Sequence, residues 1–303
     1  MEKLNLNFSV PATSANLGPG FDCLGISLGF RNYFSIKEAK EQSIVISGEG
    51  QANPHFTQDN TFVRIFTQTY KKLGGTSQFS FTFQNHIPVA RGLGSSSAII
   101  IGALFSAFKM AGQIPNKRDL LNIALNYENH PDNITPATMG GFNASFLKTN
   151  RNGKESVVYL RQNMPKSVKS VMVIPQHPMS TKKARNVLPK TYSAKDCIFN
   201  LSHASVLSLA FGSQRWDLLR ESSLDRMHEQ VRMATFPILF HIQKLALNNG
   251  ALMSTLSGSG SSIFNLCYSD DASRLAKQLA AKFPKFRVLA LDFDNDGVKI
   301  EKG

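Results

Sequence analysis

An α+β fold in two domains is the architecture that this sequence predicts, and three observations predict it. The period-two run Phe79-Ser80-Phe81-Thr82-Phe83 leads through a glycine-rich turn into an unbroken apolar helix over 99–110. The second half reads as strand, helix, two strands, helix, strand, the split βαβ order of ferredoxin-like domains. The length, 303 residues, supplies material for two cores. Composition turns polar over 150–165, which sets the boundary near 160 and gives domains of 1–160 and 161–303.

In chain order, residues 4–10 alternate and predict a strand. It runs into a turn-rich loop over 11–25 that carries Asn16 and Asp22. Strands are expected over 24–34 and 43–47. Phe62, Ile65, Phe66, Tyr70 and Leu73 have helical spacing, which Gly74-Gly75 ends. Asn116 caps a later helix with Asp119 in the capping-box place. That helix is expected to stop before Pro131, with Glu128 in its last turn, where the helix dipole disfavours a carboxylate. Residues 130–136 read as a rigid polar loop, and Arg151-Asn152-Gly153-Lys154 as a hairpin tip. Beyond the boundary come a strand over 167–175, a basic segment over 181–188, and helices over 195–211 and, in pieces, 216–233. A helix from Pro237 to Gly250 follows, then strands over 251–256 and 263–268 about a serine–glycine turn, a helix over 271–283 and a strand over 288–293.

The turn at the centre reads Pro88-Val89-Ala90-Arg91-Gly92-Leu93-Gly94-Ser95-Ser96-Ser97-Ala98. Its glycines permit positive φ and close approach of an anion. Its serines fall where a helix has unpaired N–H groups and partial positive charge, a ready phosphate site. A serine cap on a core helix would explain a lone Gly-x-Gly; the doubled glycine, tripled serine and Arg91 favour phosphate. It is not a Walker loop, since no Gly-Lys-Ser/Thr follows, and it lacks the third glycine of a dinucleotide fingerprint.

Composition excludes several classes. With 42% hydrophobic and 18% charged residues the chain is globular and not disordered. No apolar run is long enough to span a bilayer, no signal peptide is apparent, and three scattered cysteines fit a reducing compartment, so a cytoplasmic location is expected. The net charge of +13 is spread along the chain, its one local cluster being Lys182-Lys183-Ala184-Arg185, and no aromatic-basic RNA motif accompanies it. Neither nucleic acid nor membrane is an expected partner.

Three stretches stand in a telling order: Pro11-Ala-Thr-Ser-Ala-Asn-Leu-Gly-Pro-Gly-Phe-Asp22, the Gly92-Leu-Gly-Ser-Ser-Ser97 turn, and Ser257-Gly-Ser-Gly-Ser261. Together they resemble the small-molecule kinase superfamily of galactokinase, homoserine kinase, mevalonate kinase and phosphomevalonate kinase (GHMP). The first stretch, Glu128-Asn-His-Pro-Asp-Asn133, Arg185-Asn-Val-Leu-Pro189 and Asp225-Arg-Met-His-Glu-Gln-Val-Arg232 look specifically like the homoserine kinases. The resemblance covers essentially the whole chain. It departs from the family at Asn129, often Gly, and Ser261, often Pro.

The resemblance implies an N-terminal ribosomal-protein-S5-domain-2-like domain before the ferredoxin-like one. It also implies ATP-dependent phosphorylation of the L-homoserine hydroxyl, on the way to threonine. By the same matching, Pro88 to Ala98 wraps the phosphates, Glu128 and Ser96 hold Mg²⁺, and the 257–262 turn closes over the site. Arginine suits a carboxylate, so Arg185 and Arg232 are expected on the substrate carboxylate and Asp22 on its ammonium. Asn16, Asn133 and His130 are expected to orient the hydroxyl, and Asn133, Asn16 and Arg185 form the expected catalytic set. Asparagine is no base, so the proton is expected to pass to the γ-phosphate, with Asp132 as the rival acceptor. Two other readings compete: a sister kinase with another hydroxylated substrate, and an RNA binder without kinase activity. A homodimer is left open.

Overall fold

The structure is a computed structural model. It describes residues 4–302 apart from 177, 179 and 180, and of 181–183 the backbone alone. The Lys182-Lys183 side chains of the basic cluster therefore lie outside the described residues. The first half runs β1 (Asn5–Ala15), β2 (Leu24–Ala39), β3 (Ser43–Gly48), the single turn α1 (His55–Gln58), α2 (Thr61–Lys72), β4 (Gln78–Asn85), α3 (Ser95–Met110), α4 (Lys117–Ala124), α5 (Pro131–Met139), β5 (Phe142–Thr149) and β6 (Glu155–Gln162). The second runs β7 (Val168–Ile174), α6 (Thr181–Asn186), α7 (Ala194–Ser213), α8 (Leu219–Ser222), α9 (Glu229–Ala234), α10 (Ile238–Asn248), β8 (Met253–Leu256), β9 (Ile263–Tyr268), α11 (Ala272–Lys282), β10 (Arg287–Leu291) and β11 (Lys299–Ile300).

The first sheet has the order β11-β1-β2-β4-β3, with β5 on β2 and β6 on β5. Among the described residues only β3 and β4 pair parallel. Its apolar face is a phenylalanine cluster: Phe8 stacks on Phe34 at 5.0 Å between ring centres, and Phe62 lies 4.8 Å from Phe83. Each such ring removed from water contributes roughly 2–3 kcal/mol. α2 lays Phe62, Ile65 and Phe66 on this face, and α3 packs beside it, apolar all round because protein surrounds it.

The second sheet has the order β10-β7-β9-β8 and is antiparallel throughout. That is the ferredoxin-like order the pattern predicts. Period-two alternation along β7 splits its side chains between two cores. Val171 and Val173 pack with Leu239 and Ile242 of α10 and Leu275 and Leu279 of α11. Val168, Met172 and Ile174 join the main core with Leu207 and Phe211 of α7. Phe211 stacks face to face on Phe142 of β5, 4.2 Å apart, which joins the two sheets' cores.

Four local expectations are corrected. β1 does not end at Val10 but continues to Ala15, with a register shift between Pro11 and Ala12. Proline has no N–H for the ladder, and a bulge absorbs that loss. Glu128 is not in the last turn of α4, which ends at Ala124, so no dipole acts on it there. Residues 130–136 are not a loop: Pro131 is the first residue of α5, where a missing N–H leaves nothing unmade. Strands β5 and β6 stand where only a polar hairpin tip was expected.

The chain also returns to the first sheet at its end. Phe293 bridges to Leu28 and β11 pairs with β1. The segment is held by a buried ion pair between Arg31 and Asp294, while Arg31 also donates to the Ser9 hydroxyl at 2.7 Å and the Gly297 carbonyl at 2.6 Å. Breaking a buried pair strands a charge, which costs about 3–5 kcal/mol. Asp294→Ala is accordingly expected to lower the urea midpoint by that equivalent, and an unchanged midpoint would refute the clamp.

Candidate active site

The mouth of α3 is shaped by its neighbours. Gly94 caps the helix in the left-handed conformation, φ +66°, and offers no side chain to the first-turn N–H groups. A Cβ there would fall 1.9 Å from the Thr13 hydroxyl, and one on Gly92 (φ +76°) 2.0 Å from the Ser257 carbonyl. Both glycines are therefore required by protein contacts, rather than by room for an anion. Ser257 donates to the Gly92 carbonyl at 2.6 Å, Ser262 N donates to Arg91 O, and Gly258 N donates to Ala15 O. The 257–262 turn thus sits directly on the loop, as expected. Arg91 does not point freely into the site: it donates to the carbonyls of Val89, Pro175 and Gln176.

The end of β1 and its following turn form one wall. Asn16 and Asp22 adopt positive φ of 69° and 57°, and the Asn16 amide closes the turn. Its Oδ1 accepts from Asp22 N at 3.0 Å while its Nδ2 donates to Gly258 O at 2.8 Å. Asp22 pairs with Arg185 at 2.9 Å and lies 3.5 Å from His130 Nδ1. Arg232, buried, donates to Ala184 O at 3.2 Å and meets His228 Nδ1 at 3.1 Å. His228 Nε2 lies 2.8 Å from Gly18 O, so it donates there while Nδ1 accepts, and burial pushes the ring's pKa down toward this neutral form. His228 also stacks on Phe21 at 5.0 Å, and both guanidiniums lie against that ring, Arg232 at 5.1 Å and Arg185 at 5.5 Å.

Facing this wall, Glu128 accepts from Ser97 Oγ at 2.7 Å, and burial raises its pKa. Ser96, the serine expected beside Glu128, is exposed; the buried hydroxyl of the first turn is that of Ser97, one residue on. Burial, with Asp22 and Glu128 nearby, pushes the Asp132 carboxyl up to about 8. Asn133 Oδ1 accepts from Thr13 Oγ1 at 2.7 Å, and its Nδ2 donates to Asp132 Oδ1 at 3.5 Å.

Most of these groups line one cleft of about 380 Å³, Thr13, Phe21, His228 and Ser257 being their supports. Asn16, Asp22, His130, Arg185 and Arg232 occupy one end, Val89 to Ser97 and Glu128 the middle. Pro88 and Ala98, expected in the phosphate loop, are buried behind it. The far end is apolar, with Ile46, Phe56, Phe62, Phe83 and Ile87, and also holds Asn60 and Asn85. Asn85 Oδ1 is buried without a hydrogen-bond partner. Sequence reasoning missed this end, along with Thr13, Phe21 and His228, and placed Ser97 in the phosphate loop without its bond to Glu128. The motif Asp225-Arg-Met-His-Glu carried His228 in view, but nothing in it revealed that the ring reaches back to Gly18. Among the described residues no helix is long and apolar enough to cross a membrane, and no group of three or more His, Cys, Asp or Glu could hold a metal ion alone.

Comparison with known proteins gives these features a context. The family model for the GHMP kinases N terminal domain matches residues 60–141, and that for the GHMP kinases C terminal matches residues 209–285. The chain is 54% identical over 294 residues to the homoserine kinase of Helicobacter pylori strain J99, covering 97% of this chain and 99% of that protein. It is 55% identical over 294 residues to the homoserine kinase of Wolinella succinogenes, with the same coverage. Its fold is similar to the crystal structure of homoserine kinase from Cytophaga hutchinsonii, with a TM-score of 0.84 at 24% identity over 98% of this chain and 97% of that one.

Glu229 bears on stability beside this site. It accepts from Leu256 N and Gln243 Nε2, and burial with Asp225 nearby raises its pKa from an ordinary 4.5 to about 8. Because the folded value is the higher one, the unfolded chain loses this proton first. Stability is full below about pH 4.5, falls as pH rises toward about 8, and is level beyond. Glu229→Gln is neutral throughout and should flatten part of that fall in a series of urea midpoints; an unchanged slope would refute the assignment.

Proposed function

This chain belongs to the homoserine kinase family of GHMP kinases, and from that premise we propose that it transfers the γ-phosphoryl group of ATP to the side-chain hydroxyl of L-homoserine, giving O-phospho-L-homoserine and ADP. The observation that carries the reading onto this molecule is one cleft joining the Asp22–Arg185 pair to the uncapped mouth of α3.

In the proposed complex the amino acid enters between Asp22 and Arg185. Its carboxylate takes the guanidiniums of Arg185 and Arg232, and its ammonium takes Asp22. One ion pair is thereby replaced by two, whereas a ligand lacking either charge leaves one side unmatched. Phe21 and His228 support this assignment, since they fix the planes of both guanidiniums. Asn16 acts as a positioning residue through its hold on the Asp22 turn, and His130, which burial keeps neutral, lies beside Asp22. The triphosphate lies along Val89 to Ser97 against the first-turn amides of α3. The adenine fits the apolar end, where the unpartnered Asn85 Oδ1 is a ready acceptor for its amino group.

A magnesium ion fits the middle of the cleft. Glu128, with the hydroxyl of Ser97 or Ser96, would hold it beside the phosphates, and the chemistry it would supply there is neutralisation of the phosphate oxygens. Catalysis is then alignment and charge neutralisation. Asn133, its oxygen engaged by Thr13 and its Nδ2 donating to Asp132, has one N–H left for the hydroxyl and cannot take its proton. Asp132 is mostly protonated at neutral pH. The hydroxyl proton passes to the γ-phosphate.

The two domains of this proposal are residues 1–160 and 161–303, with β6 running across that boundary to Gln162 and the final strand returning to the first sheet. The cytoplasm, where ATP is made, is its location.

The test is ADP release with homoserine, threonine, shikimate, mevalonate and γ-hydroxybutyrate. Homoserine should turn over fastest. γ-Hydroxybutyrate, lacking the ammonium, should show kcat/KM lower by about ten- to a hundredfold, the value of a charged hydrogen bond. Turnover of mevalonate without homoserine would overturn the substrate. Asp132→Asn should lose less than about tenfold in kcat; a loss of about a thousandfold at unchanged KM would make Asp132 the base.

A further inference from the structure

Among the described residues, Arg232 is a buried cation whose hydrogen-bond partners are all neutral. It is 2% exposed. Its Nε donates to the Ala184 carbonyl at 3.2 Å, and its Nη1 donates to His228 Nδ1 at 3.1 Å and to the Gly258 carbonyl at 3.4 Å. Arg185, by contrast, has the Asp22 carboxylate at 2.9 Å. A buried guanidinium set against neutral acceptors keeps its full charge, at a desolvation cost that an arriving carboxylate relieves. The bonds to described residues use Nε and Nη1, so Nη2 remains for that carboxylate.

The state of His228 follows from its neighbours. A guanidinium can only donate, so Nδ1 must be unprotonated. Nε2 then carries the proton and gives it to the Gly18 carbonyl at 2.8 Å. Asp225 does not compete for it. Its Oδ1 lies 3.9 Å from Nε2, and its carboxylate already accepts from Asn200 Nδ2 and from the amides of Met227, His228 and Glu229. Those bonds anchor the His228 backbone at the start of α9, and Phe21 stacks on the fully buried ring. One imidazole thus bridges Arg232 to the Gly18 end of the turn that carries Asp22. A carboxylate at position 228 would orient the arginine as well, but would also neutralise it.

We propose that His228 is a positioning residue for the reaction: as the Nε2–H tautomer it aims Arg232 at the substrate carboxylate without taking up the arginine's charge. The proposal rests on the homoserine reading of the cleft. It confines the role of His228 to one group of the substrate, which a ring that merely filled space would not do.

Two substitutions separate the ring's nitrogens. His228→Asn places an amide oxygen near the Nδ1 position and keeps the hold on Arg232. His228→Gln places an amide near the Nε2 position and keeps the bond to Gly18 instead. The substrates are L-homoserine and 3-aminopropan-1-ol, which is homoserine without its carboxylate. With homoserine, His228→Gln should raise KM by about ten- to a hundredfold at nearly unchanged kcat, the value of a charged hydrogen bond, and His228→Asn should stay within about threefold of the wild type. With 3-aminopropan-1-ol the three proteins should agree within about threefold in kcat/KM. Losses that fall alike on both substrates, or a Gln variant as good as the Asn variant, overturn the proposal. The wild type supplies a check that needs no variant to fold. In its nitrogen-15 spectrum His228 should read as the neutral Nε2–H form at neutral pH, and its Nδ1 resonance should move with homoserine but not with 3-aminopropan-1-ol. A protonated Nδ1, or an equal response to both compounds, overturns the proposal. A wild type that phosphorylates no homoserine refutes the reading of the cleft itself, and the proposal with it.

Discussion

The carbonyl of Gly258 is the knot on which the site depends. It accepts from Asn16 Nδ2 at 2.8 Å and from Arg232 at 3.4 Å, so one oxygen joins the turn after β1, the turn after β8 and the arginine of α9. Asn16 in turn holds the Asp22 amide, and Asp22 holds Arg185. A charged binding site shared by two sheets would drift with any relative motion of those sheets. Here Arg232 is one hydrogen bond from a common atom, Asp22 two and Arg185 three, which limits how far their separations can change.

The electrostatics of the cleft follow from burial. Three carboxyl groups, Asp22, Glu128 and Asp132, line the cleft, and Glu229 is buried near Asp225. Mutual repulsion and desolvation are relieved by keeping protons on those most deeply placed, and Asp132 and Glu229 both rise to about 8. Asp22, which lies against Arg185, is the one with a cation as its direct partner. Formal charge is thus concentrated where a zwitterion would use it, on Asp22 and the two arginines.

The fold was legible wherever one face of an element is apolar. Phe79, Phe81 and Phe83, Phe62 and Phe66, and the order of β7 to β10 could be read from period alone. Elements that lack a period were missed. β11 has two residues, β5 and β6 lie beside a polar hairpin, and α5 begins with Pro131 and contains Pro136. The site was legible as a set of motifs, because Asn16, Asp22, Glu128, His130, Asn133, Arg185 and Arg232 all line the cleft except where they form its supports. What sequence could not give was pairing. That Arg185 is held by Asp22, or that His228 reaches Gly18 across more than two hundred residues, is a fact of packing.

The glycine-rich loop illustrates the same limit and leads to a stronger conclusion. Its glycines were read as clearing space for an anion, yet the positions their side chains would occupy are filled by Thr13 and Ser257. The loop is therefore shaped by β1 and by the 257–262 turn before any nucleotide arrives. Donors already fixed in direction need no ordering on binding, and a ligand that meets them keeps more of its interaction energy. β1 supplies Thr13 and Ser14 to this arrangement and the turn after it supplies Asn16, and the Arg31–Asp294 clamp holds that strand from the opposite end of the chain. The returning C-terminal segment, far from any substrate group, is thus part of what sets the shape of the phosphate loop.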